Sequence, residues 1–278
     1  MRFLLSLAFL LVCTLQCAAQ NFVSRDFSFL NYLIDNNMRK DAMVILASSS
    51  YAPSDTLDYM RGWAAYSFKL LPEASASFAK VPRNSSFYAK STYFNVVCLA
   101  HSGDYGKALA TLENFSGPRD GLYYTELAGL HLLNSSPDAY ISASKHFSSS
   151  NSLLTEAQDR LAFVYEERYL KREKSPFVAG LASAVLPGAG YWYAGDKTSA
   201  LLSFFTSLAL AGIAIENNVR HGPEDWRSIL ADIAGAGFYL ANIYGSVHSI
   251  SVRREKIGYE QTTTVLYNIH MPLRSIFK

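Results

Sequence analysis

Between positions 22 and 173 apolar residues recur as short amphipathic stripes. The plainest sign is an alanine followed four residues later by a larger apolar residue, at Ala42/Leu46, Ala74/Phe78, Ala108/Leu112 and Ala143/Phe147. Residues at i and i+4 share one helix face, so each pair predicts a helix whose small residue lets the preceding helix come close. The alanines lie 32, 34 and 35 residues apart, which predicts a helix-turn-helix unit of about 34 residues. Leu161, Val164, Tyr165 and Leu170 form a further stripe within 155–172, read as a helix that caps the stack.

Beyond Pro176 the pattern changes from periodic to continuously apolar. Pro176 to Gly195 holds twenty residues without a charge, Thr198 to Ile215 eighteen, and Ser228 to Val252 twenty-five interrupted by Asp232 and His248. Such lengths match a hydrocarbon layer of about 30 Å. Three of them in so short a stretch leave little chain for a polar exterior, although each alone could be a buried core helix. The expected organisation is therefore all-α: a signal segment over 1–19, helical repeats over 22–173, a membrane domain of two or three helices over 176–252, and a short tail over 253–278.

The repeats resemble the tetratricopeptide family, most clearly at Gly103-Asp104-Tyr105-Gly106-Lys107-Ala108 and at Gly62-Trp63 before Ala74, with Pro82 near a repeat end. The signature residues are Ala42, Ala74, Phe78, Gly103, Ala108, Leu112 and Ala143. The resemblance implies a short solenoid whose groove holds a peptide or a partner's helix. Tyr59, Tyr66, Phe68, Tyr88, Tyr93, Phe94, Tyr123 and Tyr124 could line that groove or fill the repeat core.

Two motifs stand out in the apolar third. Leu186-Pro187-Gly188-Ala189-Gly190-Tyr191-Trp192-Tyr193-Ala194-Gly195-Asp196 combines helix breakers with aromatic residues suited to a headgroup interface. With Gly237-Phe238-Tyr239-Leu240-Ala241-Asn242-Ile243-Tyr244-Gly245 it resembles a small bacterial membrane domain related to the TM2 helical-hairpin family. Tyr191 stands where that group commonly has glutamine. The residues of interest are Pro187, Gly188, Gly190, Tyr193, Gly195, Asp232, Tyr239, Asn242, Tyr244 and Gly245. Gly237, Ala241 and Gly245 recur every four residues as a small-residue seam expected to meet another helix, and Gly180, Ala184 and Gly188 form a matching one. Asp232 is an acid inside an apolar run, read as a boundary or hydrogen-bonding group with ion transport as the rival.

Arg2 followed by an apolar run from Phe3 to Cys13 and by small residues to Ala19 reads as a cleavable secretory signal, with acylation at Cys17 as the rival. Cleavage would remove two of the three cysteines and leave Cys98, in an apolar helix, without an intramolecular disulfide partner. A formal charge of +2 provides no basic excess able to hold a phosphate backbone, so no nucleic-acid partner is expected. Lys171-Arg172-Glu173-Lys174 is either a solvated helix end or a contact with anionic lipid headgroups.

His101, His131, His146, His221, His248 and His270 lack the spacing of a metal site, and no nucleophile elbow or phosphate loop is present. Neither a cofactor nor an enzymatic activity is expected. The expectation is a bacterial cell-envelope scaffold, integral to the membrane, whose exported repeats bind a protein or peptide. The alternative is a membrane-integral factor for transport or protein insertion in which the glycine-rich hairpin works. Three crossings would place the basic residues Arg253, Arg254 and Lys256 inside; two crossings with a re-entrant 176–195 would leave them on the side of the repeats.

Overall fold

The computed structural model describes residues 28–47, 54–148 and 151–277. The signal segment expected over 1–19 lies outside them. The described residues are helical throughout, without strands: α1 (28–35), α2 (Arg39–Ala47), α3 (Asp55–Ser67), α4 (Leu71–Phe78), α5 (Tyr88–His101), α6 (Tyr105–Glu113), α7 (Gly121–Leu133), α8 (Pro137–Ser144) and α9 (Ser152–Tyr165). A π-helical turn over Glu166–Leu170 follows, then α10 (Pro176–Val185), α11 (Ala189–Ala194), α12 (Lys197–His221) and α13 (Trp226–Ile276). The chain forms two compact units, one of residues up to Phe163 together with Val265 onward, the other Val164–Thr264.

In the first unit helices pack in chain order, α3 on α4, α4 on α5, and so on to α8. Ala42, Ala74, Ala108 and Ala143 all lie on the second helix of a pair and are buried. Leu46, Phe78 and Leu112 are buried one turn later, whereas Phe147 falls beyond α8 and is half-buried. Gly62 belongs to the same contact: a Cβ there would run into the Phe78 ring, so the absence of a side chain sets how closely α3 approaches α4.

The four turns within these pairs share one backbone device. Asn37, Lys69, Gly103 and Ser135 each adopt a left-handed conformation, with φ of 57°, 60°, 81° and 56°. The amide of the next residue reaches back to the first helix: Met38 to Leu33, Leu70 to Ala65, Asp104 to Leu99 and Ser136 to His131, at 2.8–3.0 Å. This pattern ends a helix by satisfying one of its orphan carbonyls. Asp104 then caps α6 by accepting from the Lys107 amide. Only Gly103 adopts the left-handed region without a steric cost. We expect Lys69→Gly and Ser135→Gly each to stabilise the first unit by about 0.5–1 kcal/mol, read as a raised unfolding midpoint of the detergent-solubilised chain. A lowered midpoint for both would contradict the turn geometry.

Of the aromatic residues, Tyr59, Tyr93, Phe94 and Tyr123 are core; Tyr66, Phe68, Tyr88 and Tyr124 are half-buried. Phe94 packs edge-on against Trp63 and Tyr66, with ring centroids 5.3 and 5.0 Å away. Cys98 is fully buried beside this cluster, and burial pushes its thiol up to about 12, so it behaves as a small apolar side chain.

The segment expected as a short tail over 253–278 is instead the continuation of α13, and its last turns belong to the repeat unit. Val265, Ile269 and Leu273, spaced i, i+4 and i+8, are all buried there.

In the second unit α10 and α11 are ten and six residues long. Neither approaches the roughly 20 residues that a membrane span needs. The crossing expected over Pro176 to Gly195 is therefore not formed, because Pro187 and Gly188 split the run and turn the chain back. One helix among the described residues, Lys197–His221, is long and apolar enough to cross a membrane.

Candidate functional site

Two arrangements can carry function, one in each unit. In the repeat unit the C-terminal segment meets the first helix of three pairs, α3, α5 and α7. Ile269 lies where a Cβ on Gly129 of α7 would stand, and Val265 is beside it. Tyr66 of α3 hydrogen-bonds His270, and His101 at the end of α5 meets the His270 ring edge-on at 5.6 Å. Phe277 packs on Tyr93 of α5 at 5.7 Å. The face that the tetratricopeptide resemblance would leave open for a partner thus holds the chain's own amphipathic helix.

The two histidines of this contact are held toward their neutral form. Burial, with the charges of His101 and Arg274 beside it, lowers the His270 pKa to about 4. Burial also lowers that of His101. Glu126 on α7 is fully buried with neither carboxylate oxygen hydrogen-bonded, and desolvation drives its pKa well above the ordinary carboxylate range. Among the six histidines the sequence offered no reason to pair His101 with His270; their proximity depends on the return of α13.

In the second unit the glycine-rich motif builds a hairpin. The Ser175 amide at the start of α10 donates to the Tyr193 hydroxyl at 3.1 Å, and Lys174 Nζ donates to the Tyr193 carbonyl at 2.6 Å. The two ends of the α10–α11 hairpin therefore meet. Arg253 donates to the Ala194 carbonyl at 2.7 Å, beside Gly195, and Arg254 to the Lys174 carbonyl at 2.9 Å. These bonds place 174, 195 and 253–254 at one level. The expectation that three crossings separate Lys174 from Arg253 and Arg254 is corrected by the same bonds.

From that level α10 runs along α13, where Ser246 Oγ donates to the Ala179 carbonyl at 3.2 Å and the Tyr239 hydroxyl to the Ala184 carbonyl at 2.6 Å. At the far end Asn218 of α12 donates to Asp232 at 3.0 Å. Asp232 is thus a hydrogen-bond acceptor near a helix end. The turn between α10 and α11 depends on Gly188, whose φ is +86° and whose Cα faces the Ala200 carbonyl. Gly190 has no room for a side chain: a Cβ would strike the Ala179 carbonyl and Ser183 Oγ, which accepts from the Gly190 amide at 3.0 Å. Gly245 is filled by the Tyr191 hydroxyl, which gives the residue in the glutamine position a packing role.

The seam expected at Gly237, Ala241 and Gly245 is only one-third assembled. Gly237 meets nothing within 4 Å and Ala241 is exposed, leaving Gly245 as the contact. The face of α13 that packs is instead Tyr239, Asn242, Ser246 and Ile250, of which the last three are buried. Asn242 has no hydrogen-bond partner for its amide. Of the matching seam, Gly180 does meet α13, through Val247. Tyr244 is exposed and stacks on His248. A cavity of about 760 Å³ lies between the end of α10, α12 and α13, apolar apart from Ser207, Asp232 and Tyr239.

No family model matches the chain, and neither a curated protein nor a solved structure is found to be similar to it.

Proposed function

We propose that this protein is a membrane-anchored scaffold of the bacterial cell envelope whose repeat unit binds an amphipathic helix on the face made by the first helices of its pairs. The observation that supports this reading is the docked stripe Val265, Ile269 and Leu273, a working example of the ligand such a face accepts. The resident segment holds the face until a protein partner with a similar stripe exchanges with it. In the membrane, α12 and the first half of α13 form the spanning pair and α10–α11 dips in from one side. Leu201, Leu202, Phe205, Leu208 and Ile215 on α12, and Ile229, Ile233 and Leu240 on α13, are exposed and need lipid to cover them.

A test uses the chain ending at Thr264, reconstituted in nanodiscs, and a labelled peptide of residues 262–278. The truncated chain should bind the peptide, the full chain should not, and a peptide carrying Ile269→Asp should bind neither. Absence of binding to the truncated chain would remove the basis of the reading.

The cavity beside Asp232 and the unpartnered Asn242 amide favour a second reading, in which the hairpin works on a substrate within the membrane and the repeats only recruit. Removing residues 28–163 separates the two, since a scaffold would then lose all function and a membrane factor would keep some.

A further inference from the structure

One buried acid of the repeat unit makes no hydrogen bond and no ion pair among the described residues. Glu126 on α7 is fully covered, yet neither of its carboxylate oxygens has a partner. An acid in that state bears its full desolvation, and an apolar side chain of similar size would pack there at less cost. Its place in the groove is the level of the resident segment's middle turn. The segment runs past α5 in the opposite sense, with His270 beside His101 and Phe277 on Tyr93 at 5.7 Å. On α7, Ile269 lies where a Cβ on Gly129 would stand. Glu126 falls between these contacts: it is one turn before Gly129 on the same side of α7, and it acts on Tyr93, whose pKa burial raises first and the charges of Asp120 and Glu126 raise further. Leu273, fully buried, falls between the same contacts on the stripe 269, 273 and 277. An acid of the groove wall is thus level with an apolar residue of the occupant.

The resident segment and the wall are mismatched at this one point. With the segment in place, desolvation holds Glu126 in its neutral form. An occupant carrying an ammonium or guanidinium group in place of Leu273 would displace that proton to water and give the carboxylate charge-assisted hydrogen bonds. We propose that Glu126 selects the partner: the helix that this groove takes in exchange carries a Lys or Arg four positions after the apolar residue seated on Gly129. The same mismatch makes the resident segment the weaker occupant, as exchange requires.

This selection rests on the reading of the groove as one that exchanges helices. The experiment uses the full chain carrying Ile269→Asp, whose own segment should leave the groove, in detergent at neutral pH. Labelled peptides of residues 262–278 are titrated into it, the parent peptide and one with Leu273→Lys. The parent peptide should bind the chain with Glu126, with Glu126→Gln and with Glu126→Met about equally, which reports an intact groove in all three. The Leu273→Lys peptide should bind the chain with Glu126 about tenfold or more tighter than either variant, because each variant leaves its ammonium buried without a counter-charge. A peptide with Leu273→Glu should bind none of them. Failure of the parent peptide to bind any of the chains would end the exchange of helices, and this selection with it. Binding of the parent peptide together with a Leu273→Lys peptide that binds all three chains alike would overturn only the role of Glu126. Loss of parent-peptide binding in both variants would make Glu126 a structural group and would overturn that role as well.

Discussion

Cysteines introduced at Lys145 and Ser275 will react together with a membrane-impermeant maleimide, or be protected together, while one at Glu224 behaves oppositely. All three positions are exposed or in an exposed turn. The first two belong to one packed body, because Ile269 and Leu273 are buried among the repeat helices. A bilayer cannot pass between them. In the second unit the bonds from Ser175 to Tyr193 and from Arg254 to Lys174 return the hairpin and α13 to one level. With α12 and the first half of α13 as the proposed spanning pair, the chain would cross an even number of times. Reaction at 145 and 275 on opposite sides would restore the three-crossing arrangement and refute the docked C-terminal segment.

The absolute side decides between two forces that this fold sets against each other. On the proposed arrangement Lys171, Arg172, Lys174, Lys197, Arg253, Arg254 and Lys256 all flank the same end of the membrane segments. The other end carries Arg220 and Arg227 beside Glu216, Glu224 and Asp225. Retention of basic flanks would draw the first group toward the cytoplasm, whereas the secretory signal expected over 1–19 would draw the repeats outward. Labelling of 145 and 275 in permeabilised envelopes means export prevails; labelling of 224 alone means the basic flanks do.

The repeats were legible because close helix approach demands a small residue, and alanine every 32–35 positions records that demand directly. The turns that join the pairs were mostly hidden. One, Gly103, uses the residue that a left-handed turn favours and Asn37 one that tolerates it, while Lys69 and Ser135 adopt the same conformation at a steric cost. In α13 the four-residue spacing of Gly237 and Ala241 identified small residues without identifying the side that faces protein. Tyr239 and Asn242 were the better guide, since the Tyr239 hydroxyl bonds the Ala184 carbonyl and Asn242 is buried. A run of twenty uncharged residues looks like a span until Pro187-Gly188 is given its backbone consequence. The stripe Val265, Ile269 and Leu273 has a plain helical period, yet period alone does not say that the groove it fills belongs to the same chain.

Ile269→Asp should release the C-terminal segment altogether. Ile269 is fully buried against Gly129, and a carboxylate there would lose its hydration. Burying the charge would cost more than leaving the segment in water, so the helix undocks. A probe attached at Ser275→Cys should report the change as a fall in anisotropy, accompanied by new protease cleavage after residue 264. Thr263→Asp, at an exposed position of α13 ahead of the docked stripe, should leave both readouts as they are. Acid should act on the same contact through His270. Its pKa when docked is lowered to about 4 by burial and by His101 and Arg274, against about 6.5 when free. Undocked segments therefore bind more protons between those values. Docking is complete above about pH 6.5 and weakens as the pH falls toward 4. Tyr66 faces His270 as its hydrogen-bond partner, and His101, itself shifted downward by burial, adds in the same direction. His270→Gln should flatten most of the anisotropy change between pH 7 and 4.5 while Ile269→Asp abolishes docking at every pH. An unchanged slope in His270→Gln would move the proton-sensitive group away from this contact.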